Sequence, residues 1–195
     1  LVPFLAPVVS PMAAMARAVR RSLMPGAPVV FVGPCIAKKA ELRNAGDASS
    51  ADLAMTFTEL DELLRERDVD VNRLAPSVAD EPLPGLGALF PITGGLLKAA
   101  MVRADLTDDG VIAVDGPRRC IETLRAMEQG ALGPCLVDAL WCEGCVAGPG
   151  YPHEMSVLSR RRRVTEHVRT LAAHARAAQR SLRRLGRTNL AREFH

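Results

Sequence analysis

Short unbroken apolar runs alternate along this chain with stretches of helical spacing. Val29, Val30, Phe31 and Val32 follow one another without a polar break, and Val111–Val114 and Leu136–Trp141 form similar runs. Such runs predict strands buried on both faces, as in parallel sheets. Leu53–Thr56 predicts another short strand. Between them, Ser10-Pro11 cap a helix from Met12 to about Leu23, with Met12, Met15, Val19 and Leu23 inward and Pro25-Gly26 ending it. Thr58, with Asp61 or Glu62 nearby, opens a second helix through about Arg67 that turns Leu60, Leu63 and Leu64 inward. Gly94-Gly95 leads into a helix with Leu96, Ala100 and Met101 inward, and Pro117 to Met127 forms a further helix ended by Gly130. This alternation predicts an α/β fold of two lobes, with mostly parallel sheets flanked by helices. Residues 69–87 carry Pro76, Pro82 and Pro84 with little periodicity and are expected to be the lobe boundary.

A basic helix is expected from about Val157 to Leu185, striped by Leu158, Val164, Val168, Leu171, Ala172, Ala175 and Leu182. Charge separates this region from the rest. Residues 157–195 hold eleven Arg against two Glu, a net +9, and leave −6 on residues 1–156. The expected organisation is a body over residues 1–152 and a basic helical tail or linker over 153–195. An Arg-rich helix invites a nucleic-acid reading, but aromatic interleaving, a helix-turn-helix pair and zinc-finger spacing are all missing, so docking or linkage is favoured. No run approaches the roughly twenty apolar residues of a membrane span, and no leader-like order opens the chain, which predicts a cytoplasmic protein.

Five cysteines, an odd number in a chain of 195 residues, point to thiol or metal chemistry over a disulfide framework. Cys142 and Cys145 sit in WCEGCVAGPGY, where Gly144, Gly148, Pro149 and Gly150 let the backbone turn closely around a bound group. Cys35 follows a strand and precedes Lys38, Lys39 and Glu41, at the edge where open α/β sheets place ligands. A thioredoxin-type redox pair fits poorly, since too little chain follows. Structural zinc needs two further ligands, of which Cys35 is one candidate and His153 is the nearest histidine. The third reading is an iron-sulfur cluster held by Cys35, Cys142 and Cys145. Cys120 and Cys135 read as packing residues.

Four segments, SPM at 10–12, PCIAKKAE at 34–41, FPITGGLLKAA at 90–100 and Cys142 to Pro152, together resemble the C-terminal catalytic domain of the iron-only hydrogenases. They span nearly all of residues 1–152. The resemblance implies that Cys35 is a ligand of the cubane part of the active-site cluster, and that Lys38 faces a di-iron subsite with Glu41 supporting it. Cys142 and Cys145 match the two cysteines of the third motif, with Cys145 bridging cubane and di-iron parts and Asp138 standing where the family has Glu. The first motif, with a further ligand and the proton-relay cysteine, is expected upstream of Leu1, in a longer chain of which this is a fragment.

Three features depart from the hydrogenases that turn over hydrogen. Only Glu143 and Gly144 separate the last two cysteines, where those enzymes have three residues. Gly33 replaces Met before Pro-Cys, and Pro149 and Tyr151 interrupt a Gly-Gly-Gly-Gln run. This form is most similar to hydrogenase-like modules of bacterial multidomain proteins. It implies a 4Fe-4S cluster, leaves open the di-iron subsite, and implies a ferredoxin-type electron donor or covalently linked ferredoxin and sensory domains. The implied functions are reversible proton reduction to hydrogen, or hydrogen and redox sensing. A non-catalytic redox-sensing or electron-transfer module with only a 4Fe-4S cluster stays open, as does a structural zinc domain.

Overall fold

The computed structural model describes residues 2–44, 50–77, 79–80, 82–103, 110–133, 135–151, 155–172 and 191. The chain forms two compact units. The first comprises Val2–Leu83, Pro149–Pro152 and Arg176–His195; the second comprises Pro84–Gly148 and His153–Ala175, with Leu1. Each holds a two-stranded parallel sheet with helices on it, so the α/β architecture expected from the apolar runs is present.

In the first unit, α1 spans Pro11–Ala18 and continues as a π-helical turn over Val19–Leu23. Ser10 caps it by accepting the Ala13 N–H at 3.4 Å, and Pro11 occupies the first helical position. β1 (Val30–Val32) then pairs with β2 (Leu53–Met55), joined through α2 (Ala37–Asn44). α3 (Phe57–Glu66) follows β2 directly. Its start differs from the expected one: the capping box is Thr56 with Glu59, because Thr56, not Thr58, has the extended backbone that turns its hydroxyl onto the Glu59 N–H. Arg20 joins α1 to the sheet, donating to the Ser50 carbonyl and pairing with Asp52 at 2.7 Å. Asp52 in turn accepts the Val29 N–H, and these donors hold its carboxyl below the ordinary range. Val8 bridges Ala191 in antiparallel fashion.

Two expectations about burial are corrected here. β1 is not covered on both faces: Val30 is half exposed and Val32 is exposed, in a sheet that has two strands among the described residues. The buried face of α1 is Met12, Ala13, Ala16 and Ala18, while Met15 lies outside. The small side chains let the helix approach closely, so the alanines rather than the larger residues form the seam.

In the second unit a 3₁₀ segment, Gly85–Leu89, supports both α4 (Gly95–Ala99) and α6 (Val157–Ala172). β3 (Val111–Asp115) and β4 (Leu136–Leu140) pair in register from Val111 with Leu136 to Asp115 with Leu140. α5 (Pro117–Glu128) packs on β3, and the buried Cys120 thiol donates to the Leu140 carbonyl at 3.4 Å. Cys120 is therefore a packing residue, as expected. Ile92, Leu97, Val146 and Val168 complete the buried set. α4 is shorter than expected and buries Leu97 in place of Leu96, leaving Met101 exposed beyond its end. β4 likewise exposes Leu136, and Trp141 beyond it, because β3 is its one paired neighbour among the described residues.

The basic helix is described as far as Ala172; its expected continuation to Leu185 falls outside the described residues, as does His153. Among the described residues no helix is long and apolar enough to cross a membrane.

Candidate metal centre

Cys35 belongs to the first unit. Its carbonyl accepts the Lys38 N–H at 3.3 Å, so the residue stands just ahead of α2, at the electropositive end of that helix. The strand-to-helix turn that carries it is tightly packed. Gly33 is buried under the ring of Phe31, where an added Cβ would meet ring carbons at 2.8 Å, which accounts for glycine at a place where a larger residue would displace the ring. Lys38 and Glu41 sit one helical turn apart and pair at 2.6 Å, both largely screened from solvent. Glu41 also accepts the Ser10 hydroxyl at 2.6 Å, so the cap of α1 anchors the carboxylate that holds the Lys38 ammonium.

Lys39 pairs with Glu59 of α3. The Lys39 ammonium, with the Thr56 N–H and hydroxyl, holds the Glu59 carboxyl at about 2, well below its ordinary 4.5. This ties α2 and α3 into one frame around the Cys35 turn. The segment after the second cysteine pair enters the same frame. Gly150 donates its N–H to the Pro34 carbonyl at 3.1 Å, and its own carbonyl accepts the Thr58 N–H at 3.3 Å. A Cβ on Gly150 would lie 2.6 Å from the Thr56 methyl, so only glycine approaches this closely. Tyr151 sets its ring edge-on to Phe57, centroids 5.4 Å apart.

Cys142 and Cys145 belong to the second unit, on the turn that follows β4. Gly144 has φ +77° and donates its N–H to the Cys142 carbonyl at 2.8 Å. A side chain there would strike the Pro91 carbonyl at 2.8 Å. Cys145 then opens a 3₁₀ turn, Cys145–Ala147, whose Val146 N–H donates to the same Pro91 carbonyl at 3.3 Å. The FPITGG segment thus backs the cysteine turn. Thr93, two residues on, donates to Asp115 at 2.6 Å and fixes that segment to the end of β3. Asp138, on β4, is half-buried; one carboxylate oxygen has no hydrogen-bond partner, and burial raises its pKa.

None of the five cysteines is in a disulfide, and Cys35, Cys142 and Cys145 are all half-buried. Thiols on glycine-permitted turns, beside an anchored ammonium, suit a thiolate-ligated iron-sulfur group better than a zinc site, for which His153 lies outside the described residues. Among the described residues no three His, Cys, Asp or Glu side chains form a group able to hold a metal, and the three cysteines are divided between the two units. Sequence reasoning missed Thr56, Glu59 and Arg160, the last a buried member of the Arg run. The first two were legible as T-x-x-E at 56–59. Nothing in four consecutive arginines distinguishes the buried one.

The chain matches the family model described as "Iron only hydrogenase large subunit, C-terminal domain" over residues 1–149. A search of curated proteins finds no match. Among solved structures it is similar to the FeFe-hydrogenase HydA(deltaEFG), solved in work on stepwise H-cluster assembly (18% identity, TM-score 0.63, 84% of this chain and 60% of that one). It is equally similar to an FeFe-hydrogenase studied for oxygen inactivation through its H-cluster 2Fe subcluster (19%, 0.63, 84% and 59%). A variant of HydA1 from Chlamydomonas reinhardtii gives the same picture (18%, 0.63, 84% and 60%). The chain therefore spans about 60% of the length of these neighbours, which share its fold. With the family model matched over most of the chain, and parallel-sheet units carrying Cys35 and Cys142-x-x-Cys145, this chain belongs to the family of catalytic C-terminal domains found in iron-only hydrogenases.

Proposed function

We propose that this domain holds a 4Fe-4S cluster through the thiolates of Cys35, Cys142 and Cys145 and serves in redox or hydrogen sensing, or in reversible proton reduction where a di-iron subsite is joined. The observation that carries this reading is the stitching of Gly150 to Pro34: the segment leaving the CEGC turn is hydrogen-bonded to the residue beside Cys35. The cluster, when bound, supplies one-electron redox chemistry and, with its di-iron partner, hydrogen chemistry.

The chain's own residues have separate tasks in this reading. The three cysteines are the ligands, and a fourth lies outside this set. Lys38 faces the anionic group as a fixed positive charge, and Glu41, braced by Ser10, keeps its ammonium from swinging into solvent. Phe31, Tyr151 and Phe57 exclude water from the frame of the first unit. Two features favour the sensing or electron-transfer role over turnover. The CEGC turn holds two intervening residues, and Tyr151 is committed to packing on Phe57 in place of a polar side chain. The electron partner is a ferredoxin-type donor or a linked ferredoxin domain, and the compartment is the cytoplasm, where thiols stay reduced.

Anaerobic purification with iron, sulfide and zinc analysis, followed by infrared spectroscopy after di-iron maturation, tests this. Iron and sulfide without carbonyl and cyanide bands support the sensing role, and those bands support the enzyme. Zinc alone would overturn both.

A further inference from the structure

Arg160 is the one member of the run Arg160–Arg163 that is buried, at 4% exposure, while the other three are exposed. A guanidinium withdrawn from water costs several kcal/mol unless its donors are met, so the fold keeps it there against a penalty. Its Nη1 donates to the Val146 carbonyl at 2.9 Å. Val146 directly follows Cys145 in the 3₁₀ turn, and is itself buried at 4% exposure. The N–H of Val146 is already held by Pro91, so both polar groups of its peptide frame are fixed: one from the FPITGG segment, the other from α6. The neighbouring helix residues do not share this work. Arg162 pairs with Glu166 at 2.8 Å along the exposed face.

We propose that Arg160 is a positioning residue for the Cys145 turn: its buried guanidinium clamps the Val146 carbonyl and fixes a positive charge next to the backbone that presents a cluster ligand. This rests on the iron-sulfur reading of Cys145. It gives α6 a role beyond its charge, as the helix that locks the second cysteine turn from behind. A thiolate-ligated cluster is anionic and becomes more so on reduction, so a fixed positive charge beside it favours the reduced form.

Two readouts, one without the cluster and one with it, test the inference on the whole chain. In the cluster-free protein, Arg160→Gln is expected to raise amide hydrogen exchange in the peptide containing residues 144–148 by about tenfold or more, as loss of one hydrogen bond to a charged donor implies. Exchange across β3 and β4 should be unchanged. In the reconstituted protein, the same variant should lose its cluster several-fold faster and show a more negative reduction potential by EPR-monitored titration. Arg160→Lys, which keeps the charge, should restore the potential while leaving the turn less protected, and Arg161→Gln should change neither. If Arg160→Gln does not fold, Arg160→Lys carries the test: wild-type protection of residues 144–148 in that variant overturns the clamp. Wild-type exchange and potential in Arg160→Gln overturn the proposal as a whole. A wild-type chain that takes up no iron and sulfide overturns the cluster reading instead, and leaves the exchange result to decide on the clamp.

Discussion

The two cysteine turns reach similar ends by different means. The Cys35 turn is held by charge: Ser10, Glu41 and Lys38 form one chain of contacts, and Lys39, Glu59 and Thr56 form another. The Cys142–Cys145 turn is held by backbone: Gly144 in a left-handed conformation against Pro91, and a single buried cation on the Val146 carbonyl. A turn held by ion pairs responds to pH and salt, whereas one held by close backbone approach responds to sterics. Substitutions in each turn separate the two.

The largest effect is expected at Gly144. A side chain there incurs the left-handed strain and meets a backbone oxygen that cannot rotate away, so Gly144→Ala should cost about 2–4 kcal/mol of stability by chemical denaturation. Gly150→Ala comes next, at about 1–3 kcal/mol, because its nearest obstacle is the Thr56 side chain. Removing that methyl with Thr56→Ser, which retains the capping hydroxyl, should recover part of the loss. Equal costs for Gly150→Ala in both backgrounds would place the obstruction at the Pro34 carbonyl.

The charge-held turn predicts a smaller, pH-dependent effect. The folded pKa of Glu59 is about 2, below its ordinary 4.5, so its contribution is complete above the ordinary value and is lost as pH falls toward 2. Glu59→Gln should therefore flatten the decline in stability between pH 4.5 and 2, read from denaturation midpoints across that range. Asp138 has the opposite sign. Burial raises its pKa, so ionisation works against folding, and stability is lost as pH rises from about 3.8 through the raised value. Asp138→Asn should remove that loss, the smallest effect of the four, and a variant with the wild-type pH profile would dismiss the buried carboxyl as its source.

Much of this was legible before any coordinates. The runs at Val29–Val32, Val111–Val114 and Leu136–Trp141 read as strands because consecutive β-branched and apolar residues suit nothing else at that length, and Pro117 and Gly130 mark both ends of α5. What pattern could not show was coverage. β1 and β4 each have one paired neighbour among the described residues, so apolar side chains stand outward at Val30, Val32, Leu136 and Trp141. In α1, side-chain size is a poor guide to burial, because a close helix contact favours Ala13, Ala16 and Ala18 over the larger Met15. At the site, the cysteines were visible by spacing, but Arg160 and Gly150 act through contacts with residues distant in sequence, which one-dimensional spacing does not encode.

The most direct test of the central claim is the iron and sulfide content of anaerobically reconstituted Cys35→Ala, Cys142→Ala and Cys120→Ala chains beside the wild type. Loss of the cluster in the first two, with wild-type loading in Cys120→Ala, is the predicted result. Wild-type iron in Cys142→Ala would contradict the account.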